Sequence, residues 1–222
     1  MNFLTVSHIC ITIIAVLVAG CVGTSNFGTV PAWKSYEQGT EVPRDYGLYT
    51  YVLGGRGEKS QQRLIEFDSV IRKIANPAET LTRDGISPQQ INLFLLPAAD
   101  GQTSCSFGRS LLIQFGITYG RDFDGIGPYL LTIKEPLRSG RPQTDILVAD
   151  LSTFNTAAFP DIAQRYAAHF SSSSIKGDQY FASLASRTVD LLSDLTDFFQ
   201  AFNSLGVGRA YADELTTPAK GC

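Results

Sequence analysis

The sequence predicts a single α/β or α+β domain of about four strands with packed helices, ending in a two-helix segment. Three observations lead there. Short runs of β-branched and aromatic residues recur through the first two-thirds. Helical periods lie between them, and the last third carries helical periods alone. Strands mixed with helices, followed by helices, is the element pattern of a layered mixed domain.

The elements follow in order. Residues 46–53, Tyr-Gly-Leu-Tyr-Thr-Tyr-Val-Leu, are rich in strand-forming residues and run into glycines, so a strand is expected. In residues 60–75 the apolar Leu64, Phe67, Ile71 and Ile74 recur at three- and four-residue spacing, a helical period that Asn76-Pro77 closes. Residues 91–96 form a short apolar run ending at Pro97, which reads as a buried strand. Residues 107–118 fit helix or strand: Leu111, Leu112 and Phe115 favour helix, whereas Gly108 and Gly116 weaken it. Residues 128–134 and 145–151 read as two strands, and the Gly/Pro-containing linker between them predicts an antiparallel hairpin.

Residues 160–170 begin with a proline suited to a first helical turn and carry Ile162, Tyr166 and Phe170 on one face. Residues 178–205 are expected to form the longest helix. Phe181, Leu184, Thr188, Leu191, Leu195, Phe198, Phe202 and Leu205 mark its stripe. Ala185, Leu192 and Phe199 widen that stripe beyond a coiled-coil seam, so core packing is favoured over a zipper. Asp190, Asp194 and Asp197 then form a solvated face.

Charge and composition restrict the function classes. The chain has 222 residues and a formal net charge of −3, with its Lys and Arg interspersed among Asp and Glu. No basic run offers a phosphate track, so nucleic acid is not expected as a partner.

The amino-terminal region is the most specific signal. From Ile9 to Val22 the sequence is apolar and free of formal charge, ending in Val18-Ala19-Gly20-Cys21. That layout is a secretory signal peptide, and the run is shorter than the roughly twenty residues a membrane-spanning helix needs. The tetrapeptide resembles the bacterial lipobox: an aliphatic residue, two small residues, then cysteine. The resemblance implies lipidation of Cys21, which becomes the first residue of a mature protein anchored outside the cytoplasm. Val22, rather than Asp, after the cysteine implies the periplasmic side of the outer membrane if the host is a diderm bacterium. The expected organisation is a signal peptide at 1–20, a lipid-anchored flexible tether at 21–45 and a globular domain at 46–222. Gly23, Gly28, Pro31, Gly39 and Pro43 punctuate the tether, and Trp33 in it is expected to pack back onto the domain.

If Cys21 is lipidated, Cys105 and Cys222 remain as an even pair in a compartment that permits disulfides. A Cys105–Cys222 bond is expected; the alternative is two unpaired thiols.

The mature part holds fragments of chemical motifs, none complete. Gly54-Gly55-Arg56-Gly57-Glu58-Lys59-Ser60 follows a predicted strand as a phosphate loop does, but Glu58 stands where the glycine before Lys-Ser belongs. Asp122-Phe123-Asp124-Gly125 starts like a calcium loop and lacks its closing Glu. Gly108-Arg109-Ser110 begins like a nucleophile elbow, with Leu112 in place of the second glycine. His169 is the single histidine of the mature part; it could act as base to Ser110 or Cys105, with Asp150 as orienter. No catalytic residue, metal ligand or cofactor is assigned on this basis. The expectation is a membrane-anchored extracytoplasmic lipoprotein whose domain binds a protein or an envelope component. The alternatives are a hydrolase with a Ser/Cys–His site and a small-ligand-binding lipoprotein.

Overall fold

A computed structural model describes residues 29–137 and 146–171. Their centre is a mixed sheet of seven strands. The order of appearance is β1 (Val30–Glu37), β2 (Leu48–Leu53), α1 (Glu58–Ile74), β3 (Asn76–Pro77), α2 (Ala78–Arg83), β4 (Ile91–Ala99) and β5 (Gln102–Thr103). Then come α3 (Cys105–Tyr119), β6 (Tyr129–Ile133), β7 (Ile146–Asp150) and α4 (Phe159–Ser171). Across the sheet the order is β3-β1-β4-β2-β6-β7, with β5 paired to β4.

The strand count corrects the expectation of about four. β3 and β5 have two residues each, too short to leave a sequence period. β1 was hidden for a different reason. It lies within the segment expected to be a tether, yet it pairs with β4 from Val30↔Ile91 to Glu37↔Ala98. Pro31 opens it, where a missing amide is tolerated. Thr29, just before it, is tied to the end of α4: its amide donates to the Phe170 carbonyl at 3.1 Å and its carbonyl accepts from Ser171 Oγ at 2.8 Å. The ordered domain therefore begins before residue 46. Trp33 packs against the core, as expected, with the Arg72 guanidinium 4.2 Å from its ring centroid.

β1, β2 and β4 run parallel, β6 runs antiparallel to β2, and β7 reverses again beside β6. β4 sits in the middle with residues 91–98 all buried, because a strand covered on both faces must be apolar throughout. Phe94 and Leu96 point to one face, where they meet Leu64, Phe67 and Ile71 of α1 and Phe159, Ile162, Tyr166 and Phe170 of α4. Leu93 and Leu95 point to the other, where they meet Leu111, Leu112 and Phe115 of α3. Each fully buried Phe contributes roughly 1.5–3 kcal/mol through removal from water.

The ambiguous segment at 107–118 is helical, as α3. Ser104 caps it by accepting from the Phe107 amide at 3.2 Å, and Gly120 ends it in the left-handed conformation. The antiparallel pairing of β6 with β7 matches the expected hairpin. The expected signal peptide with Cys21, most of the hairpin linker, the long helix expected at 178–205 with its aspartates, and Cys222 lie outside the described residues.

One polar line crosses the core beneath α4. Thr50 Oγ1 donates to Asn92 Oδ1 at 2.9 Å and lies 2.7 Å from Thr132 Oγ1, which is 2.8 Å from the Tyr166 hydroxyl. These groups belong to three neighbouring strands and the covering helix, so the line fixes their register. Burial pushes the Tyr166 phenol above its ordinary range and keeps it neutral.

Candidate binding surface

The carboxyl ends of β2 and β4 mark the place where parallel sheets most often bind ligands. α1 leaves β2 toward one face and α3 leaves β4 toward the other, which opens a crevice between neighbouring strands. Here the protein fills much of that crevice with itself. Cys105 Sγ lies over Gly54, so close that a Cβ on Gly54 would stand 2.6 Å from it. The same sulfur is 3.4 Å from Ser60 Oγ. Gln61 bridges the chain beside it, donating to the Thr103 carbonyl at 3.1 Å and accepting from the Cys105 amide at 3.0 Å. A polar depression of about 360 Å³ remains above Gln61, Gln102 and Ser104.

The glycine-rich loop after β2 is therefore a packing element. The Arg56 amide donates to the Gly125 carbonyl at 2.9 Å, and the Ser60 amide to the Gly57 carbonyl at 3.0 Å. A Cβ on Gly55 would stand 2.1 Å from the Gly125 carbonyl oxygen, so the two loops touch backbone to backbone. A phosphate cradle needs such amides turned outward.

Arg63, one turn into α1, locks the neighbouring loops. Its Nε donates to the Gly127 carbonyl at 2.7 Å, and its Nη2 to the carbonyls of Leu151 and Phe154 at 2.6 and 2.9 Å. Its guanidinium also sits 5.0 Å from the Phe159 ring centroid. Beyond it Asp150 accepts from Ser152 Oγ at 2.5 Å, and Ser152 Oγ accepts from the Gly127 amide at 2.9 Å. The Tyr129 hydroxyl accepts from the Gly125 amide at 2.7 Å. These side chains close a turn onto a strand end.

On the opposite face the surface is open. Arg109, Ile113 and Ile117 follow one another at four-residue spacing along the outer side of α3. Ile113 is 50 % exposed and Ile117 80 %, among the most exposed large apolar residues in the described part. Beside this row, with Gly116 and Gly120 in its lining, runs a groove of about 360 Å³ floored by Leu112 and Phe123. Arg56, Arg109 and Arg121 rim it, with Asp122 as the acidic residue in the lining. Arg56 is held by Asp124 at 2.8 Å, and Arg109 Nη1 donates to the Phe123 carbonyl at 2.8 Å. Burial lowers the Arg109 pKa from its ordinary value, and the nearby Arg56 charge lowers it further. Three guanidinium groups thus border the same depression.

Ser110 and His169, weighed together for hydrolysis, do not assemble. Ser110 Oγ donates to the Ser106 carbonyl at 3.0 Å within its own helix, on the face of the sheet away from α4. His169 is in the last turn of α4, its ring against Phe170 at 5.4 Å, so the sheet stands between it and Ser110. Asp150 is occupied by Ser152. Asp124 of the calcium-like stretch pairs with Arg56, and no metal-holding group of three or more His, Cys, Asp or Glu occurs among the described residues. The α3 groove escaped the sequence reading, which attended to the apolar stripe inside the helix. The signal was the second, outward row of Arg109, Ile113 and Ile117. Comparison with known proteins finds no matching family model, no matching curated sequence and no matching solved structure.

Proposed function

We propose that the protein is an extracytoplasmic lipoprotein, anchored through Cys21, whose domain is a binding module for a protein or another component of the cell envelope. The observation that carries the binding reading is the groove on α3. Exposed isoleucines beside arginines on a rigid helix are the composition of a contact surface, and a monomeric protein gains nothing in stability from leaving them in water. The address rests on the lipobox resemblance. Among the described residues no helix is long and apolar enough to cross a membrane; this reading assigns the anchoring to the acyl group on Cys21. The outer membrane is the expected site in a diderm host.

We further propose the Cys105–Cys222 disulfide. Cys105 is buried and is the one cysteine among the described residues. A bond of this span is worth roughly 4–5 kcal/mol in the chain-entropy model.

Cross-linking in intact cells tests the function. The wild type should give a discrete adduct in the membrane fraction, and Ile117→Glu should lose it while keeping the same circular dichroism spectrum. The variant changes a side chain that is mostly in solvent, so the fold should survive. An adduct that persists in Ile117→Glu would rule out the groove as the contact. A wild type that stays soluble and carries no acyl group on Cys21 would overturn the anchor.

A further inference from the structure

Resting on the reading of the α3 groove as the module's contact surface, we propose that its occupant is an acidic amphipathic helix of a partner protein. Apolar side chains of that helix seat beside Ile113 and Ile117, and its carboxylates meet Arg109 and Arg121. Charge complementarity is the first argument. Three of the four charged residues lining the groove are arginines; Asp122 opposes them in the lining and Asp124 holds Arg56 from beside it. Arg56 is turned to Asp124, whereas Arg109 makes its 2.8 Å bond to a neutral carbonyl. A guanidinium fork matches a carboxylate in two parallel hydrogen bonds.

Shape is the second argument. The four-residue spacing of Arg109, Ile113 and Ile117 presents a row along one helix. The missing side chain at Gly120 leaves open space beside that row, so it borders a groove instead of a flat face. Such a groove suits the i, i+4, i+7 anchors of a second helix. A bilayer surface is flat on this scale and would reach the rim alone.

The test uses the full-length protein as its host makes it. The probe is a fluorescein-labelled synthetic helix of about eighteen residues, long enough to fold, with leucines at i, i+4 and i+7 flanked by glutamates. A second probe has lysine in place of every glutamate. Anisotropy should show saturable binding of the acidic helix and binding at least about tenfold weaker for the basic one. Arg109→Glu with Arg121→Glu should reverse that preference, and Ile117→Asp should weaken both. Equal binding of the two helices, no saturable binding of the acidic helix, or binding only to phosphatidylglycerol vesicles would each overturn the proposal. The cellular adduct separates this failure from that of the broader reading. An adduct lost in Ile117→Glu but retained in the double arginine variant leaves the binding module standing and removes the acidic occupant.

Discussion

Arg63 and Arg109 sit near the same end of the sheet, on helices that cover opposite faces, and the protein uses them in opposite ways. Arg63 on α1 donates to the carbonyls of Gly127, Leu151 and Phe154 and stacks near Phe159. Arg109 on α3 touches one carbonyl, that of Phe123, and borders a groove between exposed isoleucines. A guanidinium with its donors matched inside the fold is a structural tie. A guanidinium left beside apolar surface and a second positive charge is available to something outside. The lesson concerns the faces: one is closed by its own chemistry, and the other keeps a groove open to solvent.

That difference can be broken from the closed side first. Gly55→Ala drives a methyl into the Gly125 carbonyl, a backbone group that cannot swing aside. We expect the largest loss, about 3 kcal/mol, read as a lower midpoint in urea unfolding at unchanged slope. Arg63→Ala strands the carbonyls it now satisfies and should cost nearly as much, about 2–3 kcal/mol. Arg63→Lys should recover little of it, because one ammonium cannot reproduce the fork. Thr132→Val removes the hydroxyl between Thr50 and Tyr166 in the core and should cost about 1–2 kcal/mol by the same measurement. None of these three residues lies in the groove, so the folded fraction of each variant should keep its binding.

On the open side the expected pattern inverts. Arg109→Ala and Ile117→Ser should change stability by no more than about 0.5 kcal/mol, yet weaken capture of the partner. A large stability loss at Ile117 would mean that the groove is part of the core.

The sequence made one face legible and concealed the other. Leu64, Phe67 and Ile71 announced α1, and Ile162, Tyr166 and Phe170 announced α4, because each buried stripe follows the helical period. β4 was readable from its unbroken apolar run. β1 was not, since its Gly- and Pro-containing flanks look like a linker and only pairing with β4 reveals the strand. The strand order is likewise a matter of long-range partners, which no local pattern encodes. The candidate triad illustrates the same limit: Ser110 and His169 are both readable as reactive types, but nothing local says that a sheet divides them. The groove was in principle readable. Arg109, Ile113 and Ile117 already share a face, and only the presence of two glycines nearby made α3 ambiguous enough to obscure it.

The most direct test of the two-face account places a photoreactive amino acid at matched exposed positions and irradiates intact cells. Ile117 on α3 and Ile65 on α1 serve for this, being 80 % and 46 % exposed on helices that cover opposite faces. The account predicts a specific adduct from position 117 and none from position 65. An adduct from position 65 with none from 117 would contradict it, as would the absence of any adduct from 117.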